Sequence, residues 1–319
     1  MSGLVFGIVS AIHSPATVTQ LCESLAPHRV VIHHDPSQQP EFAIDLPHVS
    51  FVPNPKQTGW NSFHFTEGLF HLLDHCLQQP EMAYFQLLTP TCLPIKPLSE
   101  FEFALNQSPA DAHCEGIDLF DDKQALVNFG YRTFVPDQSI AMRALYKASA
   151  HYFGQSGRER MQAGLSVRTG ASPSSLNHLI ENLNHLAKRG WFCRHPFTDD
   201  FRPYMGSTWF GAHRDAAQWL LTQFREDPRV DYFRNISFPE ELLISTLLHN
   251  SPFELAPAHH EILAFDHARP LDLTVQDLDD LKKSCRFFGR KFADDPGDPA
   301  RREVLKLIKE SEVCLTVAG

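Results

Sequence analysis

At 319 residues, with 43% hydrophobic and 21% charged side chains, the chain can bury a sizeable core, and wholesale disorder is excluded. A formal net charge of −10 argues against a nucleic-acid binder, which needs a dominant basic face, although a local basic pocket can still hold a small anion. The seven cysteines (Cys22, Cys76, Cys92, Cys114, Cys193, Cys285, Cys314) are scattered without CxxC pairs, and the 18 histidines show no HxH or HExxH spacing; neither set reads as a metal site or a disulfide frame.

The first predicted element is a buried strand, Leu4–Ser10, too short to span a bilayer and without the basic start or cleavage site of a secretory signal. Ser14-Pro15 opens a helix with Val18, Leu21, Cys22 and Leu25 on one face. Residues 29–33 and 48–52 read as further strands, each stopped by proline, and a helix is expected over 63–77 with Leu69, Leu72, Leu73 and Cys76 as its stripe. A fourth strand over 84–88 runs into the turn-forming Thr89-Pro-Thr-Cys-Leu-Pro94. This alternation predicts half of a doubly wound α/β sheet, with ligands at the strand C-termini. Residues 154–173 read as a connector and 174–188 as a helix striped by Leu176, Leu179, Ile180, Leu183 and Leu186. Later helices are expected over 214–224, from Pro239, and from Thr274 to about Cys285. No fixed-period repeat and no low-complexity linker occurs, so one compact unit over 1–319 is expected, with 1–110 and 111–319 as its halves.

Four segments carry chemistry. Asp35, in His33-His-Asp35, stands just past a parallel strand, where an acidic side chain can reach a ribose or base; a turn aspartate before proline is the plainer alternative. Trp60 precedes a helix, and the loop up to Lys96 lies where an open sheet places an active-site wall; a core anchor is the other fate of such a tryptophan. Pro239-Glu240-Glu241 puts two carboxylates in a helix's first turn, where the dipole favours them and where a general base stays ionised. Arg269 and Lys291 flank the last predicted helix, whose ~18 Å length at ~1.5 Å per residue would separate them unless the chain after Cys285 folds back. Phe287 and Phe288 would anchor that return and Gly289 bend it, making a cation pair suited to a diphosphate. Thr274 with Asp277 resembles a capping box, and Val275, Leu278, Leu281, Cys285 and Phe288 are expected on one face.

In order, His33-His-Asp35, Trp60, the 84–96 strand and loop, Gly206-Ser-Thr-Trp-Phe210, Pro239-Glu-Glu241 with Thr246, and Arg269 with Phe288-Gly-Arg-Lys-Phe292 resemble the core-2/I-branching β-1,6-N-acetylglucosaminyltransferase family, which includes peptide xylosyltransferases and bacterial relatives. The resemblance covers residues 4 to 292 and implies a GT-A-type glycosyltransferase fold, a Rossmann-like sheet lacking the Asp-x-Asp metal motif. It implies an inverting transfer from a UDP-sugar, N-acetylglucosamine by default or xylose, to a glycan or glycolipid hydroxyl, with no metal cofactor. Glu241 matches the family's base, Arg269 and Lys291 its diphosphate-binding pair, and Asp35 with His33 its nucleoside contacts; Trp60, Trp209, Ser207 and Glu240 fall in the sugar and acceptor pocket. Asp277-Leu-Asp279 lies inside a predicted helix and is discounted as a metal motif.

Departures from the family are Cys92, where aspartate is common, and Glu240, where aspartate precedes the base; both bear on the acceptor more than on the chemistry. Animal relatives are Golgi-anchored and disulfide-rich. Without either trait the chain is expected to be a cytoplasmic, bacterial-type enzyme of surface polysaccharide synthesis, meeting membrane at most peripherally. The alternatives are a non-catalytic nucleotide-sugar or glycan-binding protein and a metal-dependent GT-A transferase. A hydrolase is disfavoured for want of a nucleophile motif such as GxSxG.

Overall fold

Alternate residues of the predicted strands are apolar on both sides, which demands a sheet covered on both faces. The computed structural model describes residues 3–59, 62–121, 196–234, 236, 238–263, 265–266 and 269–318 and shows that sheet. The expectations for 154–173, 174–188 and Trp60 fall outside the described residues.

Strands β1 (Leu4–Ser10), β2 (Arg29–His34), β3 (Val49–Phe51), β4 (Tyr84–Leu88), β6 (Ala112–Cys114), β9 (Phe210–His213) and β10 (Leu255–Ala256) form a seven-stranded sheet of order β10-β6-β9-β4-β1-β2-β3. β1 pairs in parallel with β2 and β4, and β2 with β3. β9 runs antiparallel between β4 and β6, matching Ala212 with Phe85 on one side and Ala112 on the other. Helices α1 (Pro15–Ser24), α2 (Phe63–Leu77), α3 (Leu98–Gln107), α4 (Arg214–Glu226), α5 (Val230–Phe233) and α6 (Pro239–His249) follow the strands in turn.

The pleat sorts the core by parity. Val5, Val9, Val31, Phe85 and Leu87 pack with Leu69 and Leu73 of α2, Leu220 of α4 and Leu243 of α6. Leu4, Phe6, Ile8, Val30, Ile32 and Tyr84 pack on the other face with α1, α3 and the last helix, α8 (Pro299–Ala318). At about 25 cal/mol per Å² this two-sided burial is the dominant stabilising term. Gly7 in the middle of β1 has the Phe85 ring where a Cβ would stand, so the strand needs glycine there.

A smaller three-stranded sheet joins β11 (His260–Ile262), β14 (Phe288–Arg290) and β5 (Leu93–Pro94), and β7 (Ile117–Asp118) pairs antiparallel with β8 (Tyr204–Met205). Two expectations are corrected here. The helix expected from Thr274 to Cys285 is a 3-10 turn, Val275–Asp277, followed by a short α7, Leu278–Lys283. The Thr274–Asp277 capping box forms as expected, but Val275 and Cys285 are exposed, because only Leu278, Leu281 and Phe288 find the core. Gly289 is not a bend either: it lies within β14, pressed against the Ile95 side chain at 2.7 Å from where a Cβ would be.

The last helix is tied back to the first. Arg301 is fully buried and donates to Gln20 Oε1 (2.7 Å), the Ala293 carbonyl (3.2 Å) and the Thr17 carbonyl (3.3 Å). Among the described residues, no helix is long and apolar enough to cross a membrane.

Candidate active site

The loops that follow β1, β2 and β4 share the C-terminal edge of the parallel strands, where an open sheet leaves a crevice. On the β2 side, Asp35 is anchored to the end of β1 by its amide, which donates to the Ser10 carbonyl at 2.9 Å. Its carboxylate is buried and accepts from the Ser37 amide (2.9 Å) and hydroxyl (2.6 Å), Gln38 Nε2 (3.0 Å), and the Thr58 amide (2.6 Å) and hydroxyl (3.1 Å). Burial alone would raise its pKa; the bonds from Ser37, Thr58 and Gln38 overcome that and hold it well below the usual carboxylate range. His33, also buried, accepts from the Lys56 amide through Nε2 at 3.1 Å. Burial and the neighbouring His71 ring, 5.5 Å away edge-on, lower its pKa to about 4. Together the two residues clasp the 54–59 segment to the end of β2.

The opposite wall is built on the start of α6. Phe238, before Pro239, sits in the left-handed region (φ 53°, ψ 56°), a conformation that costs a bulky residue on the order of 1–3 kcal/mol. Such an outlier survives only where its surroundings over-determine it, and here it aims the first turn that carries Glu240, buried, and Glu241, half-buried. The Gly206 amide donates to the Glu241 carbonyl at 3.0 Å. A side chain at Gly206 would collide with the Glu115 carbonyl and the Ser245 hydroxyl, so glycine alone allows this approach. Thr246 reinforces the contact, accepting from the Tyr204 amide at 3.0 Å. In this way the Gly206–Trp209 stretch is pressed onto the helix that carries Glu241. Ser207, half-buried, donates to the Trp209 carbonyl at 3.4 Å, and the Trp209 indole is buried with the His260 ring 5.3 Å behind it.

The basic segment closes this wall. The fold-back expected after Cys285 is present: the Leu273 amide donates to the Lys291 carbonyl at 2.7 Å, and the Phe292 amide to the Thr91 carbonyl at 2.9 Å. Lys291 thus returns to the stretch just after Arg269, and its Nζ pairs with Asp272 at 2.8 Å. Of Arg269 only the backbone is described, in a two-stranded hairpin of β12 (Phe265–Asp266) and β13 (Arg269–Pro270). Arg290 was not singled out by the sequence. Its guanidinium lies 4.4 Å from the Trp209 ring centroid, and its pKa is lowered by burial, with Cys92 and Glu241 acting in the other direction. Its signal in the sequence is its place within the Phe288–Phe292 motif beside Lys291; the Trp209 and Glu241 groups that surround it come from distant segments. His13, in the loop after β1, lies within the field of Arg290, Lys291 and Arg301, and its pKa is lowered by burial first and by those cations, against Asp294.

Asp277 is engaged in its cap and Asp279 in a pair with Lys282 at 3.5 Å. Among the described residues, no group of three or more His, Cys, Asp or Glu side chains is placed to hold a metal ion.

A mostly parallel sheet with one inserted antiparallel strand carries carboxylates and cations at its C-terminal edge, and the family that it matches makes this the GT-A-like fold of a glycosyltransferase. Residues 27–271 match the family described as Branch: Core-2/I-Branching enzyme, and the chain belongs to that family. Its members are glycosyltransferases, N-acetylglucosaminyl and xylosyl transferases that use a nucleotide-sugar donor, and the chain is a glycosyltransferase of this type. A search of curated proteins found no match. The matched span includes Asp35, Trp209, Glu241 and Arg269 and ends before Arg290 and Lys291.

Proposed function

We propose that the chain is an inverting, metal-independent transferase that moves N-acetylglucosamine from its UDP conjugate to a hydroxyl of a glycan acceptor during bacterial surface polysaccharide synthesis in the cytoplasm. The observation that carries this reading is the meeting of Glu241, Trp209 and the Arg290-Lys291 segment on one wall. The acceptor oxygen attacks C1 of the sugar as the C1–oxygen bond to the diphosphate breaks. The hydroxyl proton passes to the Glu241 carboxylate, and the electron pair of the broken bond leaves on UDP. Cations fixed at the leaving group stabilise that charge without reorganising during the reaction. The Asp35 clasp serves the nucleoside by fixing the loop against which it lies, with Ser37 and Thr58 as the groups it orders.

The base assignment is tested by Glu241→Gln. The variant should bind UDP as the wild type does and lose activity by about 10²–10⁴-fold. Near wild-type turnover would remove Glu241 from the mechanism. Transfer measured in excess EDTA should be unchanged; loss restored by Mn²⁺ would replace the cation wall with a metal.

A further inference from the structure

Glu115 stands just past the end of β6 and is used twice. Its carbonyl accepts the Ser245 hydroxyl at 2.9 Å, and its carboxylate pairs with Arg286 Nη2 at 2.9 Å. Ser245 follows Glu241 by four residues in α6, so the two side chains lie one turn apart on the same face of the helix. A hold on Ser245 is therefore a hold on the rotation of the turn that presents Glu241. Arg286 is the other end of this chain of contacts. Its guanidinium also donates to the Ala258 carbonyl, its amide donates to Ser284 Oγ at 3.0 Å, and the Ser284 hydroxyl donates to Glu261 Oε2 at 2.6 Å. Those bonds fasten the stretch before β14 to the stretch around β11. The pair with Glu115 then reaches from this small sheet to β6 of the large one. With side chains 24% and 43% exposed, the ion pair is screened by water and adds little to stability. Its importance lies in its place, between the helix of Glu241 and the strand that ends in Arg290.

We infer that Arg286 and Glu115 are positioning residues: their pair sets the gap between the Glu241 turn and the end of β14. A single displacement needs the attacking and leaving groups in line on the sugar carbon, and a misplacement of about 1 Å from a change remote from the chemistry can cost about 10²-fold in rate. The inference rests on the transferase reading above, and it asks neither residue to touch the reacting atoms. Arg286 acts through Glu115, and Glu115 acts through Ser245 on the helix that carries the base.

The test follows UDP release by the full chain from UDP-N-acetylglucosamine with water as the acceptor. Water attacks C1, its proton passes to Glu241, and UDP leaves with the electron pair of the broken bond. Arg286→Gln and Glu115→Gln should each lower kcat by about tenfold or more, with calorimetric UDP affinity and the thermal melt near wild type. The two substitutions together should cost no more than either alone, because both remove one contact. Arg286→Lys should recover part of the loss. Amide exchange gives a reading free of turnover: in Arg286→Gln it should rise over 241–246 ahead of the rest of the chain. Wild-type kcat and exchange in a folded Arg286→Gln overturn the inference. A loss confined to Glu115→Gln gives that carboxylate a substrate contact of its own and overturns it too, as does a fall in kcat matched by falls in UDP affinity and melting temperature, the mark of a packing role. If Arg286→Gln does not fold, Arg286→Lys decides, and wild-type kcat and exchange there deny the guanidinium any part. A wild type that neither binds UDP nor releases it from the donor sinks the transferase reading. One that does both, with every variant equal to it, sinks only the coupling.

Discussion

The two sides of the crevice are finished to different degrees. Around Asp35 the carboxylate accepts five hydrogen bonds that gather the 54–59 loop, although His33 Nδ1, His34 Nδ1 and Gln39 Oε1 on the same side are sealed without a partner among the described residues. Around Arg290 a cation rests on an indole with its Nε unmatched among the described residues, and Phe238 holds a strained backbone one turn before Glu241. On the proposed function the contrast separates a positioning group from the reaction centre. A carboxylate whose hydrogen bonds are filled offers shape, while a cation whose donors are not filled offers binding free energy to whatever completes it.

Substitutions can break this contrast. Glu241→Gln should have the largest effect on turnover and almost none on stability, because a single half-buried side chain changes only its charge; a matched thermal melt beside the activity assay checks this. Asp35→Ala should do the reverse. It removes the acceptor of five hydrogen bonds from Ser37, Gln38 and Thr58, whose exposed or half-buried donors water can partly re-satisfy, and a loss of about 1–3 kcal/mol in urea unfolding is expected, with kcat of the folded fraction little changed. If kcat collapses while stability holds, Asp35 belongs to the chemistry and the division is wrong. Gly206→Ala lies between the two. Its Cβ must push the segment off α6, costing about 1–3 kcal/mol and lowering kcat together, since it shifts Trp209 relative to Glu241.

Acid is the gentlest probe. Burial holds the pKa of His33 and of His113 at about 4, that of His260 at about 3 and that of His259 at about 2, from an ordinary 6.5. Between these values the unfolded chain binds more protons than the folded one. Stability is therefore complete above about pH 6.5 and falls as the pH drops toward 4. His260 lies on β11 against Phe288 of β14, His259 precedes it, and the His113 ring lies 4.1 Å from that of His259, so amide exchange near pH 5 should rise first in β11 and β14. Exchange that rises first around Lys56 and Thr58 would reverse the ranking of the two walls.

Much of the scaffold was legible in the sequence because its periodicity is local. β1, α1, β2, α2 and β4 each bury a stripe that can be counted along the chain, and the proline before Glu240 marks the start of α6. What escaped is decided by partners far away. β9 is a strand only because β4 and β6 flank it, and its four residues carry no alternation strong enough to announce it. α7 breaks where Ser284 turns to bond Glu261 at 2.6 Å, a residue on another strand. Arg290 acquires its surroundings from Trp209, His260 and Glu241, which reach it from three separate stretches; its place within the Phe288–Phe292 motif, beside Lys291, was the trace it left in the sequence. The family motifs did point to Glu241 and Trp209, and the structure brings both to one wall with Lys291 folded back toward Asp272.

The fully buried Arg301 has a bearing on where this enzyme stops being separable. It fastens the final helix to α1, and α1 begins at the end of the very loop that carries His13. The last helix thus holds the start of α1, and with it the loop that opens the crevice, from behind. The stretch matched to the family, ending at residue 271, is therefore a unit of ancestry and not of cooperativity. Cutting the chain there would remove the cation wall and also let the far end of the crevice drift, so that loss of sequence at one terminus would be felt as loss of shape at the other.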